Sequence, residues 1–138
     1  MRTSRFRRGL VVTEAALILP LVLLLTFAVI EYAWMFLRTQ QITNAARSGA
    51  RVGATADATS ADVLLAVQSW MDRASLGSSG YQVSIATPED ADVGALESGQ
   101  VLTVQVTVPY ANITLTGMPM VPTPAQLRSS VSMAKEGP

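Results

Sequence analysis

Residues Leu10 to Leu37, LVVTEAALILPLVLLLTFAVIEYAWMFL, form a long apolar stretch whose only ionisable residues are Glu14, Glu31 and Tyr32. As a helix, the part from Leu10 to Ile30 would extend about 31 Å, enough to cross a hydrocarbon core of about 30 Å. Tyr32 and Trp34 are then expected at the far end, because aromatic residues favour the headgroup region. The stretch therefore predicts a single transmembrane helix.

The residues before this helix predict its orientation. Four arginines precede Gly9, and clustered arginines resist translocation; they are Arg2, Arg5, Arg7 and Arg8. We therefore expect a cytoplasmic N-terminus and a C-terminal domain on the other side of the membrane. A cleaved secretory signal is the competing interpretation, but its apolar region is about 7–15 residues and ends at a small-residue site. Here the run is longer and is followed by bulky residues.

Composition and charge exclude several classes of function. Up to Gly53 the chain carries seven arginines against two glutamates, a balance of +5, whereas residues 54–100 carry seven acidic residues against one arginine, a balance of −6. An acidic outer domain lacks the basic surface that binds nucleic acid. Cys and His are both absent, which removes thiolate metal sites and the commonest general base. Ser48 and Ser129 therefore lack a partner for catalysis, and we expect no enzyme activity, metal, cofactor or small-molecule substrate.

The chain beyond the membrane predicts a small α+β domain. Thr59 or Ser60 caps a second helix that ends at Gly77 and buries one face, formed by Val63, Leu64, Val67, Trp70 and Met71. Alternating apolar residues predict three antiparallel strands, around residues 81–85, 102–110 and 127–133, with their order left open. The acidic segment 88–99 lacks calcium-loop spacing and is expected to be a solvated loop.

These elements give a domain scheme in four parts. Residues 1–9 form a basic cytoplasmic leader, residues 10–37 the transmembrane helix, residues 38–54 its continuation, and residues 55–138 the external α+β domain. The fold class is thus α+β, a long N-terminal helix with a short second helix and a three-stranded antiparallel sheet.

Two segments each have two possible roles. Small residues recur at helical spacing in the continuation and form a narrow stripe; they include Ala45, Ala46, Gly49 and Ala50. Such a stripe lets another backbone approach closely, either in the protein's own domain or in a partner helix. The proline-rich segment Thr116 to Pro124 carries two methionines, which serve either as a contact patch for a partner or as ordinary packing.

The arrangement of basic residues, Gly9, four uncharged residues, Glu14 and an apolar helix resembles the processing site of type IV pilins and pseudopilins. The resemblance implies that a prepilin peptidase cuts after Gly9 and makes Leu10 the mature N-terminus. Glu14 would then pair with the Leu10 ammonium of an adjacent subunit. Pairing relieves the cost of placing both charges in lipid only when subunits pack side by side, so it sets the axial offset between helices.

Further along, Glu31-Tyr32 and the run Asn44 to Arg51 (NAARSGAR) make the first half of the chain similar to the TadE family, minor pseudopilins of tight-adherence (Flp-type) pilus systems. This resemblance implies a subunit of the bacterial inner membrane that is able to enter the pilus. Its partners would be the membrane, prepilin peptidase, other pilin-like subunits and the pilus assembly machinery. The alternative is an uncleaved single-pass protein whose external domain binds an envelope partner.

Overall fold

The computed structural model describes residues 4–137, with side chains from residue 11 onward. A 51-residue helix, α1 (Ser4–Ala54), is followed by a shorter helix, α2 (Ser60–Arg73). Three strands follow, β1 (Gln82–Ala86), β2 (Val101–Pro109) and β3 (Gln126–Ala134). The predicted α+β fold, with its long helix, short helix and three-stranded antiparallel sheet, is confirmed.

Helix α1 has two parts with different environments. It continues through Pro20, whose missing N–H leaves one carbonyl of the preceding turn without its helical donor. From residue 11 to Ile30 its side chains are mostly exposed, whereas Glu31 and Ile42 are almost fully buried. The C-terminal half of α1 is thus a core helix of the domain, and the N-terminal half projects from it.

Helix α2 begins where the sequence predicts and ends earlier. Thr59 and Asp62 form a reciprocal capping box at its start, which satisfies two of the orphan N–H groups of the first turn. The helix ends at Arg73 because Ser75 adopts a left-handed conformation, with φ 57°. The prediction that it ends at Gly77 was therefore wrong.

The buried face of α2 is narrower than predicted. Val63, Val67 and Met71 are fully buried, at successive four-residue steps. Leu64 and Trp70, also assigned to this face, are 45% and 39% exposed. The reason is that α2 packs on a stripe of alanine and glycine in α1, which admits a single row of side chains.

The sheet has the order β1-β2-β3, with both pairs antiparallel. Central strand β2 alternates strictly, so that one face lies in the core; its buried residues are Leu102, Val104, Val106 and Val108. In register, Val101 lies opposite Ala134 and Pro109 opposite Gln126. The long helix α1 contacts both β2 and β3, so the core lies between the helices and one face of the sheet.

The acidic segment between β1 and β2 differs from the solvated loop that we expected. It contains two short 3-10 turns, and Val93 and Leu96 are buried in the core. Lys135 is also buried beside it and donates to the carbonyl oxygens of Gly53, Ala58 and Val93 at 3.1–3.5 Å. The acidic side chains face solvent, but the backbone of this segment is fastened to the end of α1.

Candidate functional site

The projecting part of α1 is an apolar rod. Between residues 11 and 30 every side chain is exposed except Leu24 and Ala28, which are half-buried. Twenty helical residues extend about 30 Å, the thickness of a hydrocarbon core. By length and composition, this is the one helix in the described chain that could cross a membrane.

Glu14 lies near the N-terminal end of this rod, with an exposed side chain. No hydrogen bond or ion pair joins it to another side chain within residues 11–137. Along the helix axis it lies about 26 Å from Glu31, where the domain begins. The domain of the same chain therefore provides no partner for this carboxylate.

The predicted processing site lies at the edge of the described structure. Gly9 and Leu10 are both within α1, as are Arg5, Arg7 and Arg8, but their side chains are outside the description. Arg2 lies outside the described residues. Their predicted roles in processing and topology therefore stay predictions.

The junction between rod and domain is organised by Glu31, which is only 1% exposed. One carboxylate oxygen accepts from the Tyr110 hydroxyl at 2.5 Å, the Thr114 hydroxyl at 2.6 Å and the Leu115 N–H at 3.3 Å. The other accepts from the Thr116 N–H at 2.8 Å and the Thr116 hydroxyl at 2.7 Å. Five donors from one loop thus converge on a single carboxylate and take the place of its water.

This cluster changes the chemistry of its tyrosine. Burial, and then the hydrogen bond and negative charge of Glu31, raise the pKa of Tyr110 well above its usual value. The hydroxyl consequently stays a donor to Glu31 over the whole physiological range. The hydrogen bonds to Glu31 therefore persist at physiological pH, and they fasten the loop at residues 110–116 to helix α1.

Two aromatic residues complete the junction. The Trp34 indole N–H donates to the Ile113 carbonyl at 2.7 Å, and the Tyr32 hydroxyl donates to the Pro122 carbonyl at 3.0 Å. The sequence predicts that these rings lie at the end of the membrane span. In the structure, their polar atoms also form hydrogen bonds to backbone carbonyls of the domain. The anchoring role of Glu31 was missed, although an acid within an apolar stretch is a signal that a partner exists elsewhere in the fold.

The small-residue stripe lies inside the domain. Ala45, Ala46 and Ala50 are fully buried. A Cβ on Gly49 would lie 2.6 Å from Cγ2 of Val67 and 3.4 Å from Cγ1 of Val104, so a glycine is needed for α1 to approach α2 this closely. The sequence left two interpretations open, and the structure confirms the first: the stripe packs within the protein's own domain.

The loop between β2 and β3 borders an open groove of about 680 Å³ next to the junction. Glu31 and Tyr110 line its inner end, and Met118, Pro119 and Pro122 line its outer part. Within residues 4–137 no group of three or more acidic, histidine or cysteine side chains could hold a metal ion.

The exposed apolar rod and the compact unit behind it define a class, a single-pass membrane protein with a C-terminal α+β domain. Residues 9–51 match the family model described as TadE-like protein, which confirms the resemblance seen in the sequence. The match covers 43 of the 138 residues, from the predicted processing site to the small-residue stripe. The matched family consists of Tad pilus-associated proteins with an N-terminal membrane helix. No curated protein and no solved structure gave a significant match.

Proposed function

We propose that this chain is a minor pilin-like subunit of a tight-adherence pilus, anchored in the bacterial inner membrane with its domain outside. A prepilin peptidase removes residues 1–9, and the mature chain begins at Leu10. The observation that carries the proposal is the TadE-like match at residues 9–51, which spans the glycine, the acid and the whole projecting rod.

The exposure of Glu14 supports its role in assembly. An isolated carboxylate within the apolar part of a span costs about 2.5–3.5 kcal/mol at mid-helix, and less near the end. Cleavage after Gly9 would create an ammonium on Leu10, four residues away. If that ammonium meets Glu14 of a neighbouring subunit, the two helices are displaced by about one helical turn, roughly 5–6 Å. The pair is then favourable only between adjacent subunits.

The burial of the small-residue stripe indicates which part of α1 can pack against other subunits. Because Ala45, Ala46, Gly49 and Ala50 are used within the domain, the apolar surface of α1 left for packing between helices is the rod at residues 11–30. The exposed side chains of Phe36 and Leu37 extend this surface beyond the rod. The domain then contributes partner selection through its own outer surface. The rod supplies attachment, and Glu14 supplies the axial register.

The Glu14→Ala variant tests this mechanism. Membrane insertion and the folded domain should be retained, because Glu14 makes no contact with the domain, while co-assembly with other pilins is lost. Thr26→Ala is the matched control, because its hydroxyl bonds only to the Val22 carbonyl of its own helix. Co-purification of each variant with sheared pili and with the inner-membrane assembly complex gives the readout. Incorporation of Glu14→Ala at the wild-type level would refute the assigned role.

A further inference from the structure

The loop that connects the turn at Tyr110–Asn112 to β3 exposes apolar side chains. Leu115 is 49% exposed, Met118 37% and Met120 72%. No charged residue occurs between Ser98 and Leu127. The loop therefore presents an uncharged surface with three large apolar groups, and its own core contacts leave them uncovered.

The position of this loop along α1 is fixed by hydrogen bonds. Glu31 accepts the Leu115 and Thr116 N–H groups, and it directly follows Ile30, the last residue of the apolar rod. Trp34 binds the Ile113 carbonyl one turn further on. The loop is thus held within about one turn of the point where the rod leaves a hydrocarbon core.

The acidic segment of the domain lies far from the rod. The acidic segment at residues 88–99 lies near the C-terminal end of α1, where Lys135 donates to the Gly53 and Val93 carbonyls. Glu31 and Ala54 are about 35 Å apart along the helix. The loop next to the rod is itself uncharged; the nearest charges on α1 are the enclosed Glu31 and Arg38, which binds the Ala74 carbonyl at the end of α2, and the acids of residues 88–99 lie at the opposite end of the domain.

We propose that residues 115–120 form a membrane-contact loop, which inserts Leu115, Met118 and Met120 into the boundary between headgroups and acyl chains on the domain side of the bilayer. The inference rests on membrane anchoring by the rod and not on processing or pilus assembly. The Glu31 cluster then has a second consequence: it transmits the orientation of the loop to α1. The domain is held in one orientation on the lipid surface.

Site-directed spin labelling tests the proposal, because the chain contains no cysteine. Nitroxide is attached to Met120→Cys in the full chain, reconstituted at low density in vesicles of phosphatidylethanolamine and phosphatidylglycerol. Leu25→Cys provides the reference within the rod, and Asp57→Cys the exposed reference at the far end of the domain. The measured quantity is the ratio of collision rates with oxygen and with a water-soluble nickel chelate.

The expected ratio for position 120 is several-fold above that of position 57 and below that of position 25. A ratio equal to that of position 57 would place the loop in water and overturn the proposal. An immobile label shielded from both reagents would indicate a protein contact and overturn it as well. Repeating the measurement in the Glu14→Ala background separates this result from the proposed function, since loss of assembly leaves the loop's depth unchanged.

Discussion

Replacing Glu31 with glutamine tests whether the junction depends on a carboxylate. The side chain keeps its size and shape, so no cavity forms. The amide oxygen can still accept the bonds now made by Tyr110, Thr114 and Leu115. The amide nitrogen, however, cannot accept, and it would face the Thr116 N–H at the position where an oxygen now lies 2.8 Å away.

The cost follows from these contacts. The half-buried Thr116 N–H would be left without its acceptor, and a donor shielded from water in this way costs about 1–3 kcal/mol. The three bonds that remain, from Tyr110, Thr114 and Leu115, would then have a neutral acceptor. Hydrogen bonds to a charged acceptor are roughly twice as strong as those to a neutral one, so each of the three is weakened. Relief of the carboxylate's own desolvation offsets part of this loss. We expect Glu31→Gln to lower the free energy of unfolding of the domain by about 2–4 kcal/mol.

The assay is guanidinium unfolding of the full chain in detergent micelles, in a Trp70→Phe background so that the fluorescence comes from Trp34, whose indole binds the same loop. Glu97→Gln is the matched control, because the same isosteric change is made at an exposed side chain. A loss below about 0.5 kcal/mol, the usual range for surface substitutions, would show that the carboxylate does not fasten the loop.

Two further predictions concern the core and the tyrosine. Gly49→Val should destabilise the domain by about 1–3 kcal/mol through overpacking against Val67, measured by the same unfolding assay, and an unchanged midpoint would contradict the close helix approach. Because the pKa of Tyr110 is raised in the folded state, its neutral hydroxyl should contribute stability that is complete below pH 10 and is lost as the pH rises above that value. Tyr110→Phe should therefore flatten the fall in stability between pH 10 and 12, and identical pH profiles for the two proteins would contradict the raised pKa.

Much of the fold could be predicted because local patterns and tertiary packing agree. The apolar run of α1, a cap of α2 at Thr59 or Ser60 and the alternation in β2 each require only neighbouring residues, and all three are confirmed, with Thr59 as the cap. The face of α2 was predicted too wide because periodicity does not reveal how narrow the opposing surface is. Trp70 stays at the edge of that surface, where its ring lies 4.9 Å from the Arg73 guanidinium carbon.

The junction could not be predicted in the same way. Glu31 and Thr116 are 85 positions apart in the chain, and no local pattern joins a helix acid to the hydroxyls of a distant loop. Burial of Val93 and Leu96 was missed for a related reason. Four of the twelve side chains in segment 88–99 are acidic, whereas its two buried side chains, Val93 and Leu96, decide where the backbone lies.

Cleavage after Gly9 would create the amine that, together with Glu14, joins neighbouring subunits. The most direct measurement is the N-terminal sequence of the protein isolated from native membranes and pili. Our account predicts a start at Leu10, with the leader absent. A chain that begins at Met1 in both fractions would contradict it and would favour an uncleaved, membrane-tethered domain.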